Sequence, residues 1–149
     1  MELKQIDYDT DLNSKQKEIY NFQKVAGHLA DYGFNCIKLD DDWQGADFLA
    51  YHKDQKHTLK VQLKSRFNLD KKYYGKSLFV TFPIEGNWYL IEHDTLVKLV
   101  KKHTTHLETK SWNKSNGSYS NTKPNQQLIN SIAKWKLNIP ETLSGIKKD

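Results

Sequence analysis

An aspartate at 47, a glutamine at 62 and a lysine at 64 are the side chains of this sequence best suited to joint chemistry. A carboxylate and an amide oxygen are hard donors that suit a cation such as Mg²⁺, and an ammonium beside them can hold a water or stabilise negative charge. They act together only if they share a face. Residues 60–66, KVQLKSR, alternate Lys60, Gln62, Lys64 and Arg66 with Val61, Leu63 and Ser65, so a strand here has one apolar and one polar side. Residues 46–52, ADFLAYH, form a strand before it. A tight turn at Asp54 and Gln55 sets Asp47 opposite Gln62 and Leu49 opposite Lys60. Ala46, Phe48, Ala50, Leu59, Val61 and Leu63 then make the other side wholly apolar. A slip of one residue would bury Asp47 among aliphatic groups without a partner, which is costly.

One carboxylate is little charge for a divalent ion. Glu18 borders the apolar stripe of a helix that begins near Ser14, and could lean toward the sheet. The run Asp40, Asp41 and Asp42 is a second source, although three aspartates before Gln44 and Gly45 also read simply as an acidic turn.

The elements that must position these residues follow from periodicity. Ile19, Phe22, Ala26, Leu29 and Phe34 recur near helical spacing, with Ser14 as N-cap and Gly33 as stop. A strand over 35–40 precedes the hairpin, and residues 67–76 read as a polar loop. Two further strands flank a turn at Glu85 and Gly86, and a helix opens at Asp94. Residues 104–123 turn to Ser, Thr, Asn and Lys and read as an irregular loop. Pro124 begins a last helix bearing Leu128, Ile129, Ile132 and Trp135. The expected class is α/β, a central mixed sheet of about five strands flanked by helices.

The chain has 149 residues, 37% hydrophobic and 12% aromatic, enough for one domain spanning 1–149 with its core over 14–136 and a frayed tail at 140–149. No run reaches the ~18 apolar residues that span a bilayer, and the N-terminus lacks a signal-peptide pattern, so a cytoplasmic protein is expected. Cys36 stands alone, which excludes an internal disulfide and a cysteine-rich metal site. The net charge of +5 is uneven: 13 basic residues face 14 acidic ones before His93, against 10 and 4 from there on. A basic excess of this kind suits an anionic partner, nucleic acid first.

An aspartate entering one strand, Gln-x-Lys on the next and a glutamate on the preceding helix together resemble the PD-(D/E)XK, or restriction endonuclease-like, nuclease superfamily in a D…QxK variant. GADFLAYH and LKVQLKSR carry the resemblance, which covers roughly residues 14–66. Two positions depart from the commonest pattern: Gln62 stands where glutamate is usual, and Ala46 where proline often precedes the aspartate. The resemblance implies an endonuclease of DNA that uses Mg²⁺, or Mn²⁺ in its place, and leaves a 5′-phosphate and a 3′-hydroxyl. Asp47, Gln62 and Glu18 would be metal ligands, Lys64 the catalytic lysine, and a homodimer the form that cuts both strands. Gln62 also keeps open a non-catalytic nucleic-acid-binding or protein-interaction module on the same fold.

Arg66, Lys71, Lys72 and Lys114 are the candidates for phosphate contacts. The first three follow the Gln-x-Lys strand closely, and Lys114 lies in a loop that interleaves Trp112 and Tyr119 with lysines. A solvated lysine pair is the ordinary alternative for Lys71 and Lys72. His103 and His106 have a zinc-compatible spacing but no evident further ligands. There is no Gly-rich phosphate loop, Ser-His-Asp arrangement or nucleotide fingerprint.

Overall fold

A computed structural model describes residues 1–105, 107, 110–113, 117–121 and 123–137. Among the described residues the α-helices are α1 (Tyr8–Asp11), α2 (Ser14–Ala30), α3 (His93–His103), α4 (Lys110–Asn113) and α5 (Gln126–Ile132). The strands are β1 (Phe34–Trp43), β2 (Ala46–His52), β3 (Thr58–Leu63), β4 (Asn68–Asp70), β5 (Phe79–Ile84), β6 (Asn87–Glu92) and β7 (Ser118–Ser120). A mixed five-stranded sheet runs β1-β2-β3-β5-β6, with β3 and β5 parallel and the other neighbours antiparallel. The α/β class expected from the sequence is therefore the one observed.

Each face of this sheet carries a core, built with different partners. Val25 and Leu29 of α2 pack with Phe48, Ala50, Val61 and Trp88 on one face. On the other, Val80, Phe82, Ile84, Tyr89 and Ile91 pack against Leu96, Val97 and Val100 of α3 and Leu128 and Ile132 of α5. Period-two alternation along β5 and β6 feeds the two cores in turn. Gln62 pairs with Val80 across the parallel ladder, so it lies on the second face. That face carries α3 and α5 packed over β5 and β6, while its β2–β3 half bears the polar residues of the hairpin.

Local chemistry fixes the element ends, in places differently from the sequence reading. Asn13, not Ser14, caps α2: its side chain accepts from the Gln16 N–H while the Gln16 side chain accepts from the Asn13 N–H, both at 2.9 Å. Ile19 is exposed. The acidic run is not a turn, because β1 continues through Asp40–Asp42 to Trp43. The reversal occurs at Gln44 and Gly45, both with positive φ, and Asp42 Oδ1 accepts from the Gly45 N–H at 2.7 Å. Helix α3 is capped at Glu92, leaving Asp94 in its first turn to accept from the Gly75 N–H at 3.0 and 3.1 Å.

Residues 67–76 are more ordered than their polarity suggests. Phe67 and Leu69 are fully buried, and β4 pairs antiparallel with β7. Phe67 meets Phe82 edge to face at 5.0 Å, a contact of the kind that adds about 0.5–1.5 kcal/mol beyond burial. The strand was hidden because its partner lies some fifty residues later, inside the tract read as irregular. Among the described residues no helix is long and apolar enough to cross a membrane.

Candidate functional site

The β2–β3 hairpin has the register that burial demands, with Phe48 opposite Val61, Leu49 opposite Lys60, Ala50 opposite Leu59 and Tyr51 opposite Thr58. Beyond Phe48 and Val61 the two strands part. The Leu63 N–H donates to the Asp47 carboxylate Oδ2 at 2.7 Å, and the Lys64 N–H donates to the Thr81 carbonyl at 2.9 Å. Strand β3 thus leaves β2 for β5, and Asp47 fills the gap at the fork with a side-chain acceptor. Gln62 is buried at the same fork, on the face of Asp47 by strand alternation.

Lys64 is held from a direction the sequence did not suggest. Its Nζ lies 2.8 Å from Asp70 Oδ2, both groups being only about one-fifth exposed, and 6.0 Å from the centre of the Tyr73 ring. The close approach of Tyr73 also explains Gly45. A Cβ there would lie 2.7 Å from Tyr73 Cε1 and 2.8 Å from Leu78 Cδ1, and its φ is +88°. Tyr73 in turn stands edge-on to His93 at 6.3 Å. His93 is buried, and its Nε2 has no hydrogen-bond partner among the described residues. Burial pushes its imidazole below the ordinary pKa against the opposing pull of Asp94.

The electrostatics of Asp47 are those of a carboxylate short of positive charge. Burial pushes its pKa up, against the Leu63 N–H; Asp42 and Glu18 push it further up, and Lys64 opposes them. Oδ1 makes no hydrogen bond among the described residues. The field of Glu18 therefore reaches Asp47, yet Glu18 does not join it by hydrogen bond. It is half-exposed on α2, which packs on the opposite face of the sheet, and its oxygens lie 3.6 Å from Lys15 Nζ and 3.4 Å from Lys38 Nζ.

Two open clefts adjoin the fork. One of about 630 Å³ is lined by Asp42, Gly45, Lys60, Lys72, Tyr73 and Lys76. Another of about 560 Å³ is lined by Tyr8, Lys17, Glu18, Leu63 and Arg66 among others. Lys72 lies 4.9 Å over the Tyr73 ring, whereas Lys71 donates its backbone N–H to the Gly117 carbonyl at 2.7 Å. Lys114 and His106 lie outside the described residues. The structure thus gathers Asp47, Gln62 and Lys64, sets Lys72 and Arg66 in flanking clefts, and keeps Glu18 at the distance of its charge. Asp70, Lys60 and Lys76 are the additions. Asp70 had no sequence signal, because β4 was not recognisable as a strand; Lys60 shares the alternation of Gln62 and was in principle visible.

No family model matches this chain, and no curated protein matches it in sequence. Two solved structures are similar in fold. One is a bacterial homing endonuclease, I-Ssp6803I, at 15% identity over 76% of this chain and 78% of that one, with a TM-score of 0.47. The other is Hjc, a Holliday junction resolvase from the archaeal hyperthermophile Archaeoglobus fulgidus, at 12% identity over 86% of this chain and 96% of that one, with a TM-score of 0.45.

Proposed function

We propose that the chain is a divalent-metal-dependent phosphodiesterase that cuts DNA. One observation supports this reading: at the fork of β2 and β3, a half-buried carboxylate and a buried amide share a face by strand alternation, and the charge of Lys64 opposes the upward push on the Asp47 pKa. The donor set fits a hard cation. Asp47 Oδ1 is unengaged among the described residues, and Asp42 and Glu18 add negative potential. Asp47 and the Gln62 side-chain oxygen would hold Mg²⁺ or Mn²⁺, with Glu18 acting at longer range. Bound there, the ion would activate a water for attack and neutralise phosphate charge.

The residues of the chain do the rest. Lys64 carries three N–H groups; Asp70 engages the ammonium at 2.8 Å and leaves it hydrogens for a phosphate oxygen. Its fixed position spares the reaction the cost of ordering a long side chain as charge develops. Lys60, Lys72 and Lys76 line one open cleft and Arg66 another, so these residues and Lys71 would contact backbone phosphates, with Lys114 a further candidate for such contacts. A homodimer would supply a second fork for the second strand.

The Lys64–Asp70 ion pair and the neutral Gln62 also favour a second reading, in which the fold binds nucleic acid without cutting it. One preparation separates them. Purified protein is expected to nick or linearise plasmid with Mg²⁺ or Mn²⁺, and to be silent in chelator. Gln62→Glu should keep or raise activity by adding a carboxylate. Protein that binds linear, branched and supercoiled DNA yet cuts none of them, with either metal, would establish the non-catalytic reading.

A further inference from the structure

At the opposite end of the hairpin, His52, Asp54 and His57 bring three donor atoms within 4.8 Å of one another. Asp54 Oδ1 is taken up by the turn, accepting from the Lys56 and His57 N–H groups at 2.8 and 3.1 Å. Oδ2 is left facing two imidazoles, 2.6 Å from His57 Nδ1 and 3.1 Å from His52 Nδ1.

The orientation of His52 is fixed from behind. Its Nε2 lies 3.1 Å from the Tyr32 carbonyl, which can only accept, so Nε2 carries the hydrogen. In the neutral ring the lone pair then sits on Nδ1, which also accepts from the Asp54 N–H at 3.2 Å. That bond is long, and a cation seated between Nδ1 and Oδ2, two acceptors 3.1 Å apart, would take the lone pair in its place. A backbone carbonyl on the far nitrogen is the usual orienting partner of a metal-binding histidine. The ring is further locked by the edge of Phe34 at 4.8 Å and by Gly33, where a Cβ would come within 3.2 Å of Nε2.

We infer that His52 Nδ1, His57 Nδ1 and Asp54 Oδ2 form a site for a borderline divalent cation of the zinc type. Bond lengths of about 2.0–2.2 Å imply ligand separations of about 3.3 Å in a tetrahedron. The His52–Asp54 edge is already near this value. The 2.6 Å edge opens by rotation of His57, whose side chain is 69% exposed. Water would complete the shell. The site lies about 17 Å along β2 from Asp47, at ~3.3 Å per residue, so it is independent of the proposed cleavage chemistry. A metal here would pin the β2–β3 turn to the α2–β1 turn, which already meet through the Lys53 N–H and the Gly33 carbonyl at 2.9 Å.

The test is a Zn²⁺ titration of the full chain, free of any histidine tag, against a chromophoric chelator, with X-ray absorption on the loaded protein. Wild type and Asp47→Asn should each take up one equivalent at this site, with two imidazoles in the zinc shell and a raised Tm. His57→Ala should weaken that binding at least as much as loss of an orienting partner does, about 10–100-fold, and should abolish the rise in Tm. Asp54→Asn should weaken it as well. Failure to bind zinc at micromolar concentration, or binding unchanged in His57→Ala and Asp54→Asn, would overturn the assignment and leave a hydrogen-bonded turn only. Zinc uptake lost in Asp47→Asn but kept in His57→Ala would place the ion at the fork instead, and equally overturn it.

Discussion

The two ends of one hairpin treat their aspartates in opposite ways. At the fork, Asp47 is half-buried, receives one backbone N–H and has its pKa pushed up by burial and by its acidic neighbours. At the turn, Asp54 receives the Lys56 and His57 N–H groups and the His57 imidazole, and its pKa is held far below the ordinary value by those bonds. The residue type is the same, and so is the pair of strands. The difference is supply: the turn curls its own backbone donors around Asp54, whereas separating strands leave Asp47 a single donor. Asp54 keeps its charge through bonds that the turn supplies, whereas Asp47 carries its charge at a cost that positive charge from outside would relieve.

The largest effect expected from this contrast is on cleavage. Asp47→Ala and Lys64→Ala should each lower plasmid cutting on the order of 10²–10³-fold, the scale of removing one preorganised charge-stabilising group, without loss of the circular-dichroism signal of the fold. Cutting that survives in Lys64→Ala would move the chemistry away from the fork. A smaller loss is expected at Asp70, whose carboxylate holds the lysine at 2.8 Å: Asp70→Asn should lower kcat about tenfold, as orienting partners do, with KM little changed and Asp70→Glu restoring part of the rate.

The pH dependence sharpens the comparison because the two signs differ. Asp47 has a folded pKa above its ordinary 3.8. The protonated form is therefore the one the fold favours, and its contribution to stability is full below 3.8 and lost as pH rises through the folded value. In chelator at pH 7, Asp47→Asn should accordingly melt at a higher temperature than wild type. Asp54 runs the other way. Its pKa is depressed from 3.8, so its contribution is present above that value and disappears as pH falls through the folded one. Carboxyl carbon NMR should show Asp47 titrating above the usual aspartate range and Asp54 still ionised below it. Coincident titrations would erase the distinction.

The smallest effect concerns the turn alone. Gln55 sits at a φ of 63° without being glycine. Gln55→Gly should stabilise the protein by about 0.5–1 kcal/mol by relieving a left-handed backbone, measured by urea unfolding, and leave cutting unaltered.

Much of this site is written in the alternation of two short segments. Residues 46–52 and 60–63 divide into an apolar and a polar set, and only one register keeps the apolar set together, which forces Asp47, Gln62 and Lys60 onto the same side. That inference needs no knowledge of the rest of the chain, because a period of two is local and a misplaced carboxylate is expensive. The sequence also placed a helix before the hairpin and a mixed sheet around it. The partners of the site were another matter. Asp70 meets Lys64 because β4 pairs with β7, a contact between segments with too few residues to show a pattern of their own. Glu18 borders the right helical stripe, but which face of the sheet that helix covers is decided by Val25 and Leu29 packing on Phe48 and Val61. The lone pair of His52 points at Asp54 only because the end of α2 brings the Tyr32 carbonyl to its other nitrogen. Alternation determines which side chains share a surface; long-range packing alone decides which charges meet there, since a charge has no periodicity and finds its partner wherever the buried elements carry it.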